Sequence, residues 1–201
     1  MNTRTLAATS AALLLTAALA ITGCAAQTGA GGTMPATMHE GGASASPPAT
    51  GFNGADAMFT AMMIPHHEQA LEMSAVLLGK DGISAQAREL AQQIEAAQGP
   101  EIAQMEDWLE EWGLPMTGGS EDMHHGDGMM SGADMEALEA ATGAEAERLF
   151  LEQMIEHHEG AIDMAEREVE RGIHPGVIAL AEDVITGQTA EIQTMREMLA
   201  E

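Results

Sequence analysis

Apolar side chains recur at every third or fourth position through four stretches of the chain. That is the period of a helix with one face turned inward, not the alternation of a strand. A wheel of about 100° per residue with His66 at its origin puts Phe59, Met62, Met63, Ala70, Met73 and Leu77 on one arc. Ile64, Leu71 and Leu78 fall on the neighbouring arc, His67 lies between the two, and Glu68 and Glu72 lie opposite. A later stretch has the same layout: His157 sits with Phe150, Met154, Ala161 and Met164, and His158 leans towards Leu151, Ile155 and Ile162. Both histidines of each pair therefore belong to the arc expected to be buried.

The likeness amounts to an internal repeat. Phe59 to Met73 reads FTAMMIPHHEQALEM, and 91 residues later Phe150 to Met164 reads FLEQMIEHHEGAIDM, with eight of fifteen positions identical. A weaker match at an offset of 90 pairs Leu90, Ala91, Gln98, Glu101, Ile102, Met105 and Leu109 with Leu180, Ala181, Gln188, Glu191, Ile192, Met195 and Leu199. Each half is then two helical segments around a short turn, Gly79 to Gly82 or Gly172 to Pro175. Two such hairpins pack most simply as an all-α four-helix bundle. The repeats span residues 55–112 and 135–201, joined by a Gly-, Met- and His-rich linker over 113–134 that reads as irregular. Pro65 and Pro100 are the two points where a helix can break. The Phe59-to-His66 spacing stays in phase across Pro65, which predicts a continuous, kinked helix there.

Composition narrows the function. The 201 residues carry 7 basic and 32 acidic side chains, a formal charge of −25, which excludes a nucleic-acid-binding surface. Aromatics make up only 2% of the chain, against a β-sandwich or barrel. The N-terminus reads as an export signal: Arg4, an apolar run from Ala11 to Ile21 too short to span a bilayer, then Ile21-Thr22-Gly23-Cys24. That last run resembles a bacterial lipobox, in which the cysteine is lipidated after residues 1–23 are removed; the competing reading is an ordinary cleaved signal with an incidental Cys24. Residues 24–54, rich in Gly, Ala, Ser, Thr and Pro, cannot bury enough apolar surface to fold and read as a disordered tether. Cys24 is the only cysteine, so neither an internal disulfide nor a zinc–thiolate site is available.

Seventeen Met and eight His remain as the unusual chemistry. Adjacent histidines on one helix diverge by about 100°, so a metal site needs further ligands one turn away or on another helix. Met63 and Met73 flank the first pair, and Met154 and Met164 the second. Thioether and imidazole without thiolate, with the acidic residues read as a solvated face, favour copper and particularly Cu(I). The plainer alternative is methionine as core filler around a structural polar core. Gln98 and Gln188 fall on apolar lines of their helices and are expected to receive a histidine ring N–H, supporting the ligands from behind. In the linker Met123, His124, His125, Met129 and Met130 form an auxiliary set expected to scavenge copper or silver from a flexible segment, joined by Met116 and Met135. No zinc-protease His-Glu-x-x-His is present, because Leu71 and Ile162 stand where its second His would be. A di-iron Glu-x-x-His is absent too, since Met154 and Ile155 precede His157 and His158 by three.

The doubled motifs Met63-Ile64-Pro65-His66-His67 and Met154-Ile155-Glu156-His157-His158 resemble the family called domain of unknown function 305, a group of exported, ferritin-like helical proteins. The resemblance covers Asp56 to Leu199 and implies copper binding outside the cytoplasm, as in some members that contribute to copper tolerance. By position it implicates His66, His67, Met73, His157, His158 and Met164. The resulting expectation is a copper-binding lipoprotein on the outer face of a bacterial membrane, in a periplasm or at a cell surface. It would buffer copper or hand it to a copper-handling protein without catalysing a reaction. A metal-dependent redox enzyme and a metal-free protein-interaction bundle are the alternatives. Replacing Cys24 by Ser tests the anchor: the protein should move from the membrane fraction to the soluble one with unchanged helical circular dichroism, because one acyl-type anchor acts only on membrane affinity.

Overall fold

The computed structural model describes residues 51–115 and 128–200. The signal segment, Cys24, most of the tether, and Met116, Met123, His124 and His125 lie outside the described residues. Five helices follow in order: α1 Gly54–Leu78, α2 Ala85–Trp112, α3 Gly132–Ala140, α4 Gly143–Arg171 and α5 Pro175–Leu199. The described residues contain no strand. Among them, no helix is long and apolar enough to cross a membrane.

Four long helices form the bundle, and the short α3 is added to it. The hairpins α1–α2 and α4–α5 meet through their first helices, α1 against α4, and α3 rests on both. Phe59 and Met63 share an apolar cluster with Ala161, Met164 and Val177. Ala70, Met73 and Leu77 share a second cluster with Phe150, Leu151 and Met154. The start of α1 thus packs on the end of α4 and the reverse, so the two helices run antiparallel and cross at their middles, where the histidine pairs lie.

Both prolines lie inside unbroken helices, Pro65 in α1 and Pro100 in α2. An interior proline costs about 3 kcal/mol; continuous burial on both sides of each offsets that, from Phe59 to Leu77 in α1 and from Ala87 to Leu109 in α2.

The linker departs from the sequence reading. Its C-terminal part is ordered: Ser131 caps α3 with Asp134 in a capping box, and Met130 is buried in the apolar cluster with Leu138 and Phe150. The Gln69 amide holds the Met130 backbone on both sides, donating to its carbonyl at 2.9 Å and accepting from its N–H at 2.7 Å. Gly128, at φ 76°, lies so close to α4 that a Cβ would come 2.6 Å from the Glu156 carbonyl oxygen. Met130 is therefore core filler and not a ligand on a flexible tract. The composition of the segment concealed that its last residues return along the α1–α4 seam.

The tether's final residues also belong to the fold. Asn53 caps α1 and donates to the Arg171 carbonyl at 2.8 Å, and Phe52 stacks on Trp112 with ring centroids 4.2 Å apart. Asp56, fully buried, accepts from the backbone N–H groups of Ile173 (3.0 Å) and His174 (2.8 Å), which pins the α4–α5 turn to the start of α1. Beside it lies Glu168, also buried. Burial and the neighbouring Asp56 push the Glu168 carboxyl up to about 8, whereas hydrogen bonds from the His174 and Asn53 backbone and from Glu168 hold Asp56 below its usual value despite burial. The two acids share one proton at neutral pH.

This pair makes stability depend on pH in a defined direction. Between the ordinary glutamate value of 4.5 and about 8, the folded protein holds a proton on Glu168 that the unfolded chain has released. The contribution is complete below that window and is lost as pH rises through about 8. Denaturant unfolding measured from neutral pH to above this window should show wild-type stability declining, and Glu168→Gln should remove most of that decline.

Candidate metal centre

The two apolar clusters are separated by a polar layer at the crossing of α1 and α4. His66, His67, His157 and His158 are all buried there. The His66 and His157 rings meet across the crossing, centroids 3.8 Å apart and tilted by 41°. His157 also approaches His158, at 6.3 Å between centroids.

The outer rings are held by carboxylates. His67 Nε2 lies 2.7 Å from Glu101 Oε2 on α2, and His158 Nε2 lies 2.6 Å from Glu191 Oε2 on α5. A carboxylate only accepts, so each Nε2 carries a proton and donates it; in the neutral ring Nδ1 is then the lone-pair nitrogen. Those Nδ1 atoms of His67 and His158 are buried and meet no hydrogen-bond partner. Neither ring nitrogen of His157 has a partner of good geometry. A histidine oriented from behind by a carboxylate, its other nitrogen bare, is the usual arrangement of a metal-ligating imidazole.

These glutamates correct the sequence reading, which assigned the supporting role to Gln98 and Gln188. Both amides are buried near the layer, but the side chain of Gln98 has no hydrogen-bond partner and neither glutamine is bonded to a histidine. The carboxylates that looked solvated reach inward instead, with side chains 24% and 22% exposed. The signal was present: Glu101 and Glu191 stand three residues after the glutamines and repeat at the same offset of 90.

The thioethers bracket the layer. Met63, Met73 and Met154 are fully buried and Met164 nearly so, Met63 and Met164 in one apolar cluster and Met73 and Met154 in the other. Met63 stands one turn before His66 and His67, and Met154 one turn before His157 and His158. Among the described residues no group of three or more His, Cys, Asp or Glu is disposed to hold a metal ion. Nitrogen alone therefore does not complete a coordination sphere in this conformation; sulfur or a ring movement must contribute. The bare buried nitrogens beside soft sulfur fit a soft or borderline metal.

Electrostatics keep His157 uncharged. Burial pushes the His157 imidazole well below its ordinary value, and the neighbouring His66, His158 and His67 rings act in the same direction, with only the His66 backbone opposing. A neutral ring is the ligating form.

The fold and this layer define a class: a helical bundle with paired histidines at its waist, flanked by methionine. The chain belongs to the DUF305 family, "Domain of unknown function (DUF305)", whose profile matches residues 56–199. A DUF305 fragment from Deinococcus radiodurans is 33% identical, with 74% of this chain and 97% of the other covered and a TM-score of 0.68. A DUF305 protein of Streptomyces coelicolor, described as secreted, is 34% identical over 73% of this chain and 91% of its own, TM-score 0.67. CopM in its Cu(II)-bound form is 31% identical over 72% of this chain and 95% of its own, TM-score 0.63. CopM is also known in Cu(I)- and Ag-bound forms. No curated protein sequence matches this chain.

The His157 environment sets an expected outcome for nuclear magnetic resonance of the metal-free protein. Its ring signals should stay those of a neutral imidazole as pH falls through 6.5, while a solvent-exposed histidine titrates there. Protonation of His157 near 6.5 in the folded state would contradict its burial as a neutral ring.

Proposed function

We propose that this protein binds copper outside the cytoplasm and buffers it or hands it over, with the imidazole layer as its principal site. The observation that carries the reading is the set of bare, buried nitrogens on His67, His157 and His158. Leaving a buried polar atom unpaired costs about 1–3 kcal/mol, a cost that a ligated metal removes. His66, His67, His157 and His158 supply nitrogen; Met63, Met73, Met154 and Met164 supply sulfur from the flanking clusters. Glu101 and Glu191 orient the outer rings and set their tautomer. Imidazole serves either oxidation state and thioether favours Cu(I) and Ag(I). The copper- and silver-bound forms of CopM support this choice of metals.

Export is supported by the signal-like N-terminus and by the secreted Streptomyces relative. Lipidation of Cys24 would tie the protein to the outer membrane face. Met123, His124, His125 and Met129 remain proposed auxiliary ligands.

Replacing both His66 and His157 by Leu should abolish Cu(II) binding measured by isothermal titration while leaving the melting temperature equal or higher. Leucine fills the apolar arc without unpaired polar atoms. Unchanged Cu(II) affinity together with a lower melting temperature would mean that the histidines are a structural core only.

A further inference from the structure

The repeat makes the α1–α4 pair nearly symmetric, and the structure uses its two grooves differently. The groove between the end of α1 and the start of α4 is covered by the returning linker and α3: Gln69 grips Met130, and Gln153 Nε2 donates to the Asp134 carbonyl at 3.0 Å. The related groove, between the start of α1 and the end of α4, is an open cleft of about 420 Å³ lined by Met58, Phe59, Met62, Met164, Arg167 and Arg171 among others. Three thioethers share this one cleft.

These methionines are not explained as filler. Met58 is 59% exposed, the most exposed large apolar side chain among the described residues. Met62 is half-buried and Met164 is 5% exposed, so the three step inward from solvent. Met164 also belongs to the apolar cluster that holds Met63, one turn from His66 and His67. At the offset of 91 the counterparts of Met58 and Met62 in the covered groove are Leu149 and Gln153. Met164 itself corresponds to the buried Met73, so the open groove differs in its two outer positions, which carry thioethers where the closed one has a packing residue and an amide that binds α3.

We propose that Met58, Met62 and Met164 form a loading site for a soft monovalent cation, Cu(I) or Ag(I), through which metal reaches the imidazole layer. The inference rests on the copper reading above and adds the route in. Neutral thioether sulfur is a soft donor, so the cleft favours Cu(I) and Ag(I) over harder dications.

The test uses the full chain labelled with ¹³C-methyl methionine and titrated with Ag(I), with His66 and His157 ring signals followed alongside. The Met58, Met62 and Met164 methyl signals should shift at lower Ag(I) than the ring signals. Met58→Leu/Met62→Leu should lose one equivalent of Ag(I) and slow Cu(I) arrival at the layer several-fold, with Cu(II) binding unchanged. The single Met58→Leu change, at an exposed position, should give a partial effect with the fold intact by circular dichroism. Ring signals that respond while the three methyl signals do not, or arrival as fast in the double variant as in the wild type, would overturn the loading site and leave the copper reading standing. No response of either set to Ag(I), with no Cu(I) or Cu(II) taken up, would overturn both.

Discussion

The contact between His66 and His157 at the crossing of α1 and α4 is the constraint around which the molecule is arranged. Two polar rings in contact at the centre of a bundle displace the apolar packing that would ordinarily run through it, so the core is divided into two clusters, one on each side. The bundle holds together because each cluster is complete in itself: Phe59, Met63, Met105 and Leu109 with Val177 and Leu180 in one, Met73, Leu77, Ile94, Phe150 and Met154 in the other. Burial at about 25 cal/mol per Å² of apolar surface on both sides offsets the layer's unpaired nitrogens. A ligand that pairs those nitrogens stabilises the folded state by mass action, which couples metal occupancy to stability.

Much of this was legible in the chain. The helical period, the repeat and the turns placed all four long helices, and the wheel placed both histidines of each pair inside, because 3.6-residue periodicity directly reports which face is buried. Charge type was less informative. Glutamate on a helix is nearly always solvated, so Glu101 and Glu191 passed for surface until the facing helix showed a buried imidazole within reach. Asp56 and Glu168 were hidden for a similar reason: their pairing joins the start of α1 to the end of α4, more than a hundred residues apart, and no local pattern announces such a meeting. Met130 was misjudged because composition says how a segment behaves alone, and this one is ordered by Gln69 and by the cluster it enters.

The departures from symmetry are as informative as the repeat. Equivalent positions 69 and 160 are glutamine and glycine, and the same returning linker uses both: Gln69 grips Met130, and the bare backbone at Gly160 admits Gly128. The histidine pairs recur at equivalent places in the two halves, but one groove carries a cover and the other does not. The two ends of the bundle consequently differ in access while the waist between them stays alike.

The aromatic residues at one end carry a practical consequence. Both tryptophans of the chain, Trp108 and Trp112, stand 5.5 Å from the His174 ring, next to Phe52 and the α4–α5 turn. Trp108 lies seven residues beyond Glu101, about 10 Å of helical rise from the imidazole layer. Indole emission is thus a local reporter of that joint, sensitive to whether Phe52 stays stacked on Trp112 and His174 stays beside both indoles.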